Sequence, residues 1–583
     1  MEMELDPPPP SPSPPPSPSP LSPAFTDSRK RTFRANTIDF AAREKEEMRE
    51  LTRASEVFTW FPDAPTPSSP DPSVSASSTA TYWDPLLGQI FLGNSNDVPL
   101  AAAAQPDLFD CADNAPQHGL GYDICVQCHD AAPFPTAAHL RAAEDHVQAL
   151  EGMWAERGAA RVRPPPSAGA VIHLPFPASP PATAVSLSAL APFVAFLEGM
   201  LRPGRAVRPL KVLIHSSDGY TESSVLALCL LMALRRLTLP EAYLELQVVK
   251  RRSFFVYQGD LGVLRKVEAR FAKERGVAGV GAGGYPPRSA AVAVPRIEVP
   301  YVGGHGRSES EAQSAPALSS SSPSLAMMAP WHARAGVRRP RASTSPALLT
   351  FVPSHETWFN DPRFDGSFPS RVLPFLYLGN LNHATNAYML HALGITHVVS
   401  VGECALVPPP NFSGHAHAPA DKGCPATPGG KGVGNHGSLW TEEREGRIKV
   451  LDIKGVCDDG IDTLAPQLEP ICEWIERARA EGGQVLVHCR VGVSRSATVT
   501  IAYVMKHLGL PLVDAYLIVR SRRLSVLIQP NMRLLYNLLG WEVKLACERA
   551  GDDEEKLKNE LARSLNWPYL AREVHLLNEK YLH

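Results

Sequence analysis

The chain has almost no net charge, a formal -3 over 583 residues, so no overall field draws it to a polyanion such as nucleic acid. Recognition of an anion has to come from a local site. It also lacks the run of about 18 uninterrupted apolar residues that a membrane-spanning helix needs. Its ten cysteines are scattered, with no even framework at short spacing, and the acidic, proline-rich start shows no signal-peptide pattern. The expectation is an intracellular protein with reduced thiols, cytoplasmic or nuclear, with no membrane and no nucleic-acid partner.

Proline is what the sequence has in excess. The 57 prolines bunch in particular stretches and mark out the organisation. A chain this long exceeds one hydrophobic core. Residues 1–80 read as a disordered Pro/Ser-rich arm, with a short charged helix conceivable over Arg43 to Val57. Residues 81–276 turn globular, with strand-like runs at 89–92, 170–174 and 210–214 and helical patterns at 187–201, 224–237 and 261–275. Residues 277–350 are a low-complexity linker. Residues 351–548 form a second block, whose Pro/Gly-rich stretch 406–437 is a loop inserted after a core strand at 396–401. Residues 549–583 are an acidic and helical tail. The alternation of strands and helices predicts the α/β class, a mostly parallel central sheet flanked by helices, twice.

The two blocks echo each other. Val212 to Ser223 lies over Val485 to Ser496 without a gap, Ala242-Tyr243-Leu244 falls on Ala515-Tyr516-Leu517 at the same offset, and Phe91-Leu92-Gly93-Asn94 repeats as Tyr377-Leu378-Gly379-Asn380. Several matches in one order predict an internal duplication. Contact between the two blocks is expected.

The chemistry concentrates in His488-Cys489-Arg490-Val491-Gly492-Val493-Ser494-Arg495-Ser496, on a strand-to-helix turn. A loop of this length can wrap the backbone N–H groups of Arg490, Val491, Gly492, Val493 and Ser494 around a tetrahedral phosphate, with Gly492 allowing close approach. The helix opening near Ser494 favours both the phosphate and a thiolate at Cys489. Arg495 supplies a planar fork for two phosphate oxygens. His488 orients the loop or acts in catalysis, and Ser496 is placed to hydrogen-bond the sulfur as it leaves. A leaving alkoxide or phenoxide needs an acid, for which Asp458 is the candidate and Asp459 the runner-up; either could instead cap its loop or the helix predicted over 463–480. Cys125-Val126-Gln127-Cys128-His129 spells a haem-attachment pattern, but it falls on a strand end without partner ligands. No metal or cofactor is expected.

With these residues in view, the second block resembles the cysteine-dependent dual-specificity protein phosphatases. The likeness rests on Leu376 to Asn380, Asp458, Val485 to Ser496 and Gln529-Pro530-Asn531. It implies that the cysteine attacks phosphorus, the aspartate protonates the leaving oxygen, and water then hydrolyses the phosphocysteine without a metal. It also implies phosphorylated proteins as partners and a shallow pocket for phosphotyrosine and phosphoserine or phosphothreonine alike. In the first block Ser216 replaces the nucleophile, Glu222 the arginine, and Ser179 stands near the acid position, which predicts an inactive pseudophosphatase domain. The two-block arrangement is similar to that of fungal two-domain members, which implies a role in cell-cycle or DNA-replication control.

Overall fold

The computed structural model describes residues 39–60, 87–100, 107–114, 121–158, 163–202, 208–278, 355–408, 438–458 and 464–579. Most of the expected linker (277–350), the bulk of the expected insertion (406–437) and Asp459 lie outside the described residues.

Two five-stranded sheets carry the fold. The first contains β1 (Ser55–Thr59), β2 (Gln89–Asn94), β3 (Ile124–His129), β4 (Ile172–Pro177) and β5 (Lys211–Ser216), in the order β1-β2-β5-β3-β4. The second contains β6 (Ser370–Leu373), β7 (Leu376–Gly379), β8 (His397–Val401), β9 (Lys449–Ile453) and β10 (Val485–His488), in the order β6-β7-β10-β8-β9. In both, the first strand is an antiparallel edge and every other pairing is parallel. The last strand of each set sits in the middle. β5 and β10 are buried along their whole length, as strands covered on both faces by crossover helices must be. The chain leaves the C-terminal end of that central strand into a crevice, which is where open α/β sheets place ligands.

Helices Ala137–Glu156, Ala184–Leu201 and Ser224–Leu234 cover the first sheet, and Ala465–Ala480, Arg495–Leu508 and Met532–Ala550 the second. Ala184–Leu201 is long and apolar enough by composition to cross a bilayer. Here its apolar face, including Leu190, Phe193, Val194 and Leu197, packs into the core of the first sheet.

The two halves touch extensively. Tyr243 lies within 5.2 Å of Phe359 and 5.8 Å of Phe368, ring centre to ring centre, both edge-on. Around this cluster Arg265 pairs with Glu356 at 3.0 Å, and Arg371 donates to the carbonyls of Gln247 and Arg251. Residues from both halves therefore share one apolar cluster.

Two expectations need correction. The arm assigned to residues 1–80 as disordered contains structure at 39–60: a helix, Phe40–Leu51, capped by the Asp39 carboxylate, and then β1, the edge strand of the first sheet. That helix lies on Leu512–Arg522 of the other half, where Glu44 meets the fully buried Arg520 at 2.7 Å. The segment thus straps the two halves together. Residues 549–583, read as a tail, supply helices Glu554–Leu561 and Trp567–Glu579, and Leu570, Val574 and Leu577 join the second core. Arg520 also donates to the Asn578 side chain and the Leu577 carbonyl. The short charged helix expected over Arg43 to Val57 is this helix with shifted bounds; it buries only Phe40 of its own side chains, and its docking depends on partners far away in sequence, which no local pattern announces.

Candidate active site

The nine-residue motif occupies the turn between β10 and helix Arg495–Leu508. β10 ends at His488, so Cys489 is the first loop residue and Arg495 the first helical one. Cys489 is 2% exposed, and its Sγ accepts from the Gly492 N–H at 3.2 Å and the Ser496 hydroxyl at 3.1 Å. Burial pushes this thiol up, but the Ser496 hydrogen bonds, the Gly492 amide and the Arg495 charge outweigh it and hold the thiol below its ordinary value. Among the described residues other cysteines shift the opposite way: Cys125, Cys128, Cys229 and Cys472 are driven up by burial. Cys489 is singled out by its donors.

Gly492 has φ 80°. A Cβ there would stand 2.4 Å from the Gly379 carbonyl and 2.7 Å from Arg523 Nη2, so the loop fits only with glycine. The other loop residues are braced from outside. The Arg490 carbonyl accepts from Leu381 N–H, Val493 O accepts from Gln529 N–H at 2.9 Å, and Ser494 Oγ accepts from Asn531 N–H at 3.0 Å. Val491 is exposed at the mouth.

His488 is fully buried, with Nε2 2.7 Å from the Ser400 hydroxyl on β8 and Nδ1 3.3 Å from the Cys489 carbonyl. Burial brings it down to about 4, so it is neutral near pH 7. These contacts fix the imidazole between β8 and the backbone of Cys489.

Arg495 is almost buried. Its Nη1 donates to Gly402 O at 2.9 Å and Val456 O at 3.2 Å, and Nη2 reaches Glu403 Oε1 at 3.4 Å. Nε has no partner among the described residues. Asp458 stands two residues beyond Val456, exposed, on the loop that follows β9. Its backbone carbonyl accepts from Asn531 Nδ2 at 3.1 Å. Asn531 therefore joins the Asp458 loop to the Cys489 loop, and Val456 O ties the same segment to Arg495 Nη1.

Sequence reasoning missed Arg523, Ser400, Gly402 and Glu403. Arg523 is buried behind the loop, with Nε 3.4 Å from Gly492 O and Nη1 on Leu378 O and the Ser370 hydroxyl. Burial lowers it to about 10, still a cation at neutral pH. In the first half Arg252 does the same for Gly219, at 2.7 Å, and is likewise lowered to about 10 by burial. A buried arginine under the loop glycine is thus part of the scaffold in both halves.

The corresponding loop of the first half is filled by its own carboxylates. Asp218 accepts from the Ser216 hydroxyl, the Tyr220 and Thr221 N–H groups and the Thr221 hydroxyl, and Glu222 accepts from Ser217 N–H at 3.4 Å. The donors that would face a phosphate are already taken. Ser179 lines the same cleft as Ser217, Asp218 and Glu222 and donates to Asp260. Cys125 and Cys128 of the haem-like spelling sit in two different apolar clusters, as residues three apart on a strand do. No group of three or more potential metal ligands occurs among the described residues.

Residues 432–544 match the family model for the dual specificity phosphatase catalytic domain. The chain is 34% identical over 236 residues to dual specificity protein phosphatase PPS1 of Saccharomyces cerevisiae, covering 37% of this chain and 28% of that protein. It is 32% identical over 181 residues to human dual specificity protein phosphatase 1, covering 31% of this chain and 39% of that protein. The matched segments thus span well under two thirds of these relatives. Among solved structures, human DUSP28 is 28% identical, with 31% of this chain and 99% of that chain covered and a TM-score of 0.23. The matched residues 432–544 hold Asp458, Cys489 and Arg495.

Proposed function

We propose that the chain is a protein phosphatase that hydrolyses phosphotyrosine and phosphoserine or phosphothreonine through a phosphocysteine intermediate. The observation that carries this reading is Cys489, a buried thiol held below its ordinary value by donors of its own loop. The thiolate attacks phosphorus, forming the S–P bond as the P–O bond to the substrate breaks, and Asp458 gives its proton to the departing oxygen. Water then attacks the phosphocysteine, Asp458 takes the proton, and the thiolate leaves toward the Ser496 hydroxyl. The free Nε of Arg495, with Nη2, offers the planar pair of donors for two phosphate oxygens. The loop contains no lysine between Cys489 and Arg495, unlike lipid-directed relatives, which favours phosphoproteins as partners.

The matching strand orders support an internal duplication, and the first half is then a catalytically silent domain. Asp218 in its loop favours a structural role over phosphate recognition, and the shared aromatic cluster supports one in which this half braces the catalytic half. Residence in the cytoplasm or nucleus and a role in cell-cycle or DNA-replication control are proposed from the family resemblance. Cys489→Ser in the full chain is expected to abolish turnover of phosphotyrosine and phosphothreonine peptides while retaining their binding; turnover at the wild-type rate would overturn the reading. A scaffold that only binds phosphoproteins predicts no turnover in the wild type either.

A further inference from the structure

Glu403 follows β8, immediately after Gly402 and before the segment that lies outside the described residues. We propose that Glu403 is a positioning residue for the reaction: its carboxylate sets the rotation of the Arg495 guanidinium so that Nε and Nη2 face the phosphate before substrate arrives. This rests on the phosphatase reading above.

The geometry is built from three contacts. Arg495 Nη1 is fixed by two carbonyls, Gly402 O at 2.9 Å and Val456 O at 3.2 Å. Those bonds hold one corner of the guanidinium, and Glu403 Oε1, 3.4 Å from Nη2, engages a second. The third nitrogen, Nε, is buried and unpartnered among the described residues. A buried donor left without an acceptor is costly, and the phosphate is the acceptor the loop is shaped to hold. Gly402 makes the arrangement possible. It has φ 68°, and a Cβ on it would lie 2.0 Å from Val456 O and 2.5 Å from Arg495 Nη1. Only glycine lets the β8 turn come this close.

The charge of Glu403 opposes a phosphate dianion, so the residue does not contribute by attracting substrate. Its gain is order. A free arginine loses rotamer entropy when it clamps an anion; one already held loses less, and the saving counts most where charge spreads over the equatorial oxygens. The loss on removing Glu403 therefore falls on kcat more than on KM.

The test uses the full chain with para-nitrophenyl phosphate as substrate and vanadate as a trigonal-bipyramidal probe whose binding is measured by calorimetry. Glu403→Ala is expected to lower kcat about tenfold and weaken vanadate by the same factor, with KM changed by no more than about twofold. Glu403→Gln, which keeps an acceptor oxygen, restores most of both, and the unfolding temperature stays at the wild-type value in each variant. Full activity and vanadate affinity in Glu403→Ala, a loss that glutamine does not restore, or a loss that tracks a lowered unfolding temperature would overturn the proposal. Failure of the phosphatase reading itself shows elsewhere, as a wild type without turnover or as turnover that survives Cys489→Ser. The vanadate arm reads the guanidinium without relying on turnover.

Discussion

Ser496→Ala removes a single buried hydroxyl from Cys489 and leaves the loop backbone its bonds. The Ser496 hydroxyl donates to Sγ at 3.1 Å, and of the interactions that offset burial of the thiol it is the foremost. A hydrogen bond to a charged group contributes about 1.5–3 kcal/mol. At about 1.4 kcal/mol per tenfold, the thiolate-to-thiol ratio of the variant falls roughly ten- to a hundredfold at any given pH. The assay is the rate of alkylation by iodoacetamide as a function of pH, read on Cys489 by peptide mass. The midpoint is expected to move to higher pH. Turnover should fall as well, because the same hydroxyl receives the thiolate leaving the phosphocysteine, and phosphoenzyme should accumulate. The sign extends to stability: a thiol whose folded value lies below its unfolded one adds stability above the unfolded value and loses it as pH falls through the folded value. Wild type should therefore gain on Cys489→Ser with rising pH, and Ser496→Ala should show less of that gain. An alkylation profile unchanged by Ser496→Ala would refute the reasoning, because it would mean that the thiol is tuned by something other than this contact.

Asp458→Asn should lower kcat by about 10²–10⁴-fold on substrates with poor leaving groups, and far less on para-nitrophenyl phosphate, whose phenoxide departs without a proton; Asp459→Asn should leave both rates near wild type. In the first half, Ser216→Cys with Glu222→Arg should still fail to bind vanadate in calorimetry, because Asp218 keeps the loop donors; adding Asp218→Val should open the loop to the anion. Glu44→Ala deprives the buried Arg520 of its carboxylate partner. With the Asn578 side chain and backbone carbonyls still bound, this should cost about 2–3 kcal/mol, read as a shift in denaturant midpoint.

The β10 strand, the loop and the helix after it were legible because they combine a short apolar run, a residue set with one evident chemistry and a helical pattern. Helix Ala465–Ala480 fell within two residues of its expected bounds for the same reason: periodicity is local. What sequence could not give is contact across the chain. β1 pairs with a strand that begins about thirty positions later, beyond a Pro/Ser-rich stretch, and the strap helix is held by Arg520, more than four hundred residues away. Glu403 introduces a Pro/Gly-rich segment that reads as plain loop, and only the pairing of β8 beside β10 brings it to Arg495. Asp218 did leave a signal, an acid at the position where the active loop has Val491. It was overshadowed by the more evident changes at Ser216 and Glu222.

The central claim is that Cys489 carries the phosphoryl group during turnover. The most direct measurement is acid quenching of the full chain in the steady state with a phosphotyrosine peptide, followed by mass spectrometry of the peptide containing residues 484–495. The account predicts phosphate on Cys489 in the wild type, more of it in Ser496→Ala, and none in Cys489→Ser, which should also lack turnover. Phosphate found on another residue, or peptide turnover that persists in Cys489→Ser, would contradict it.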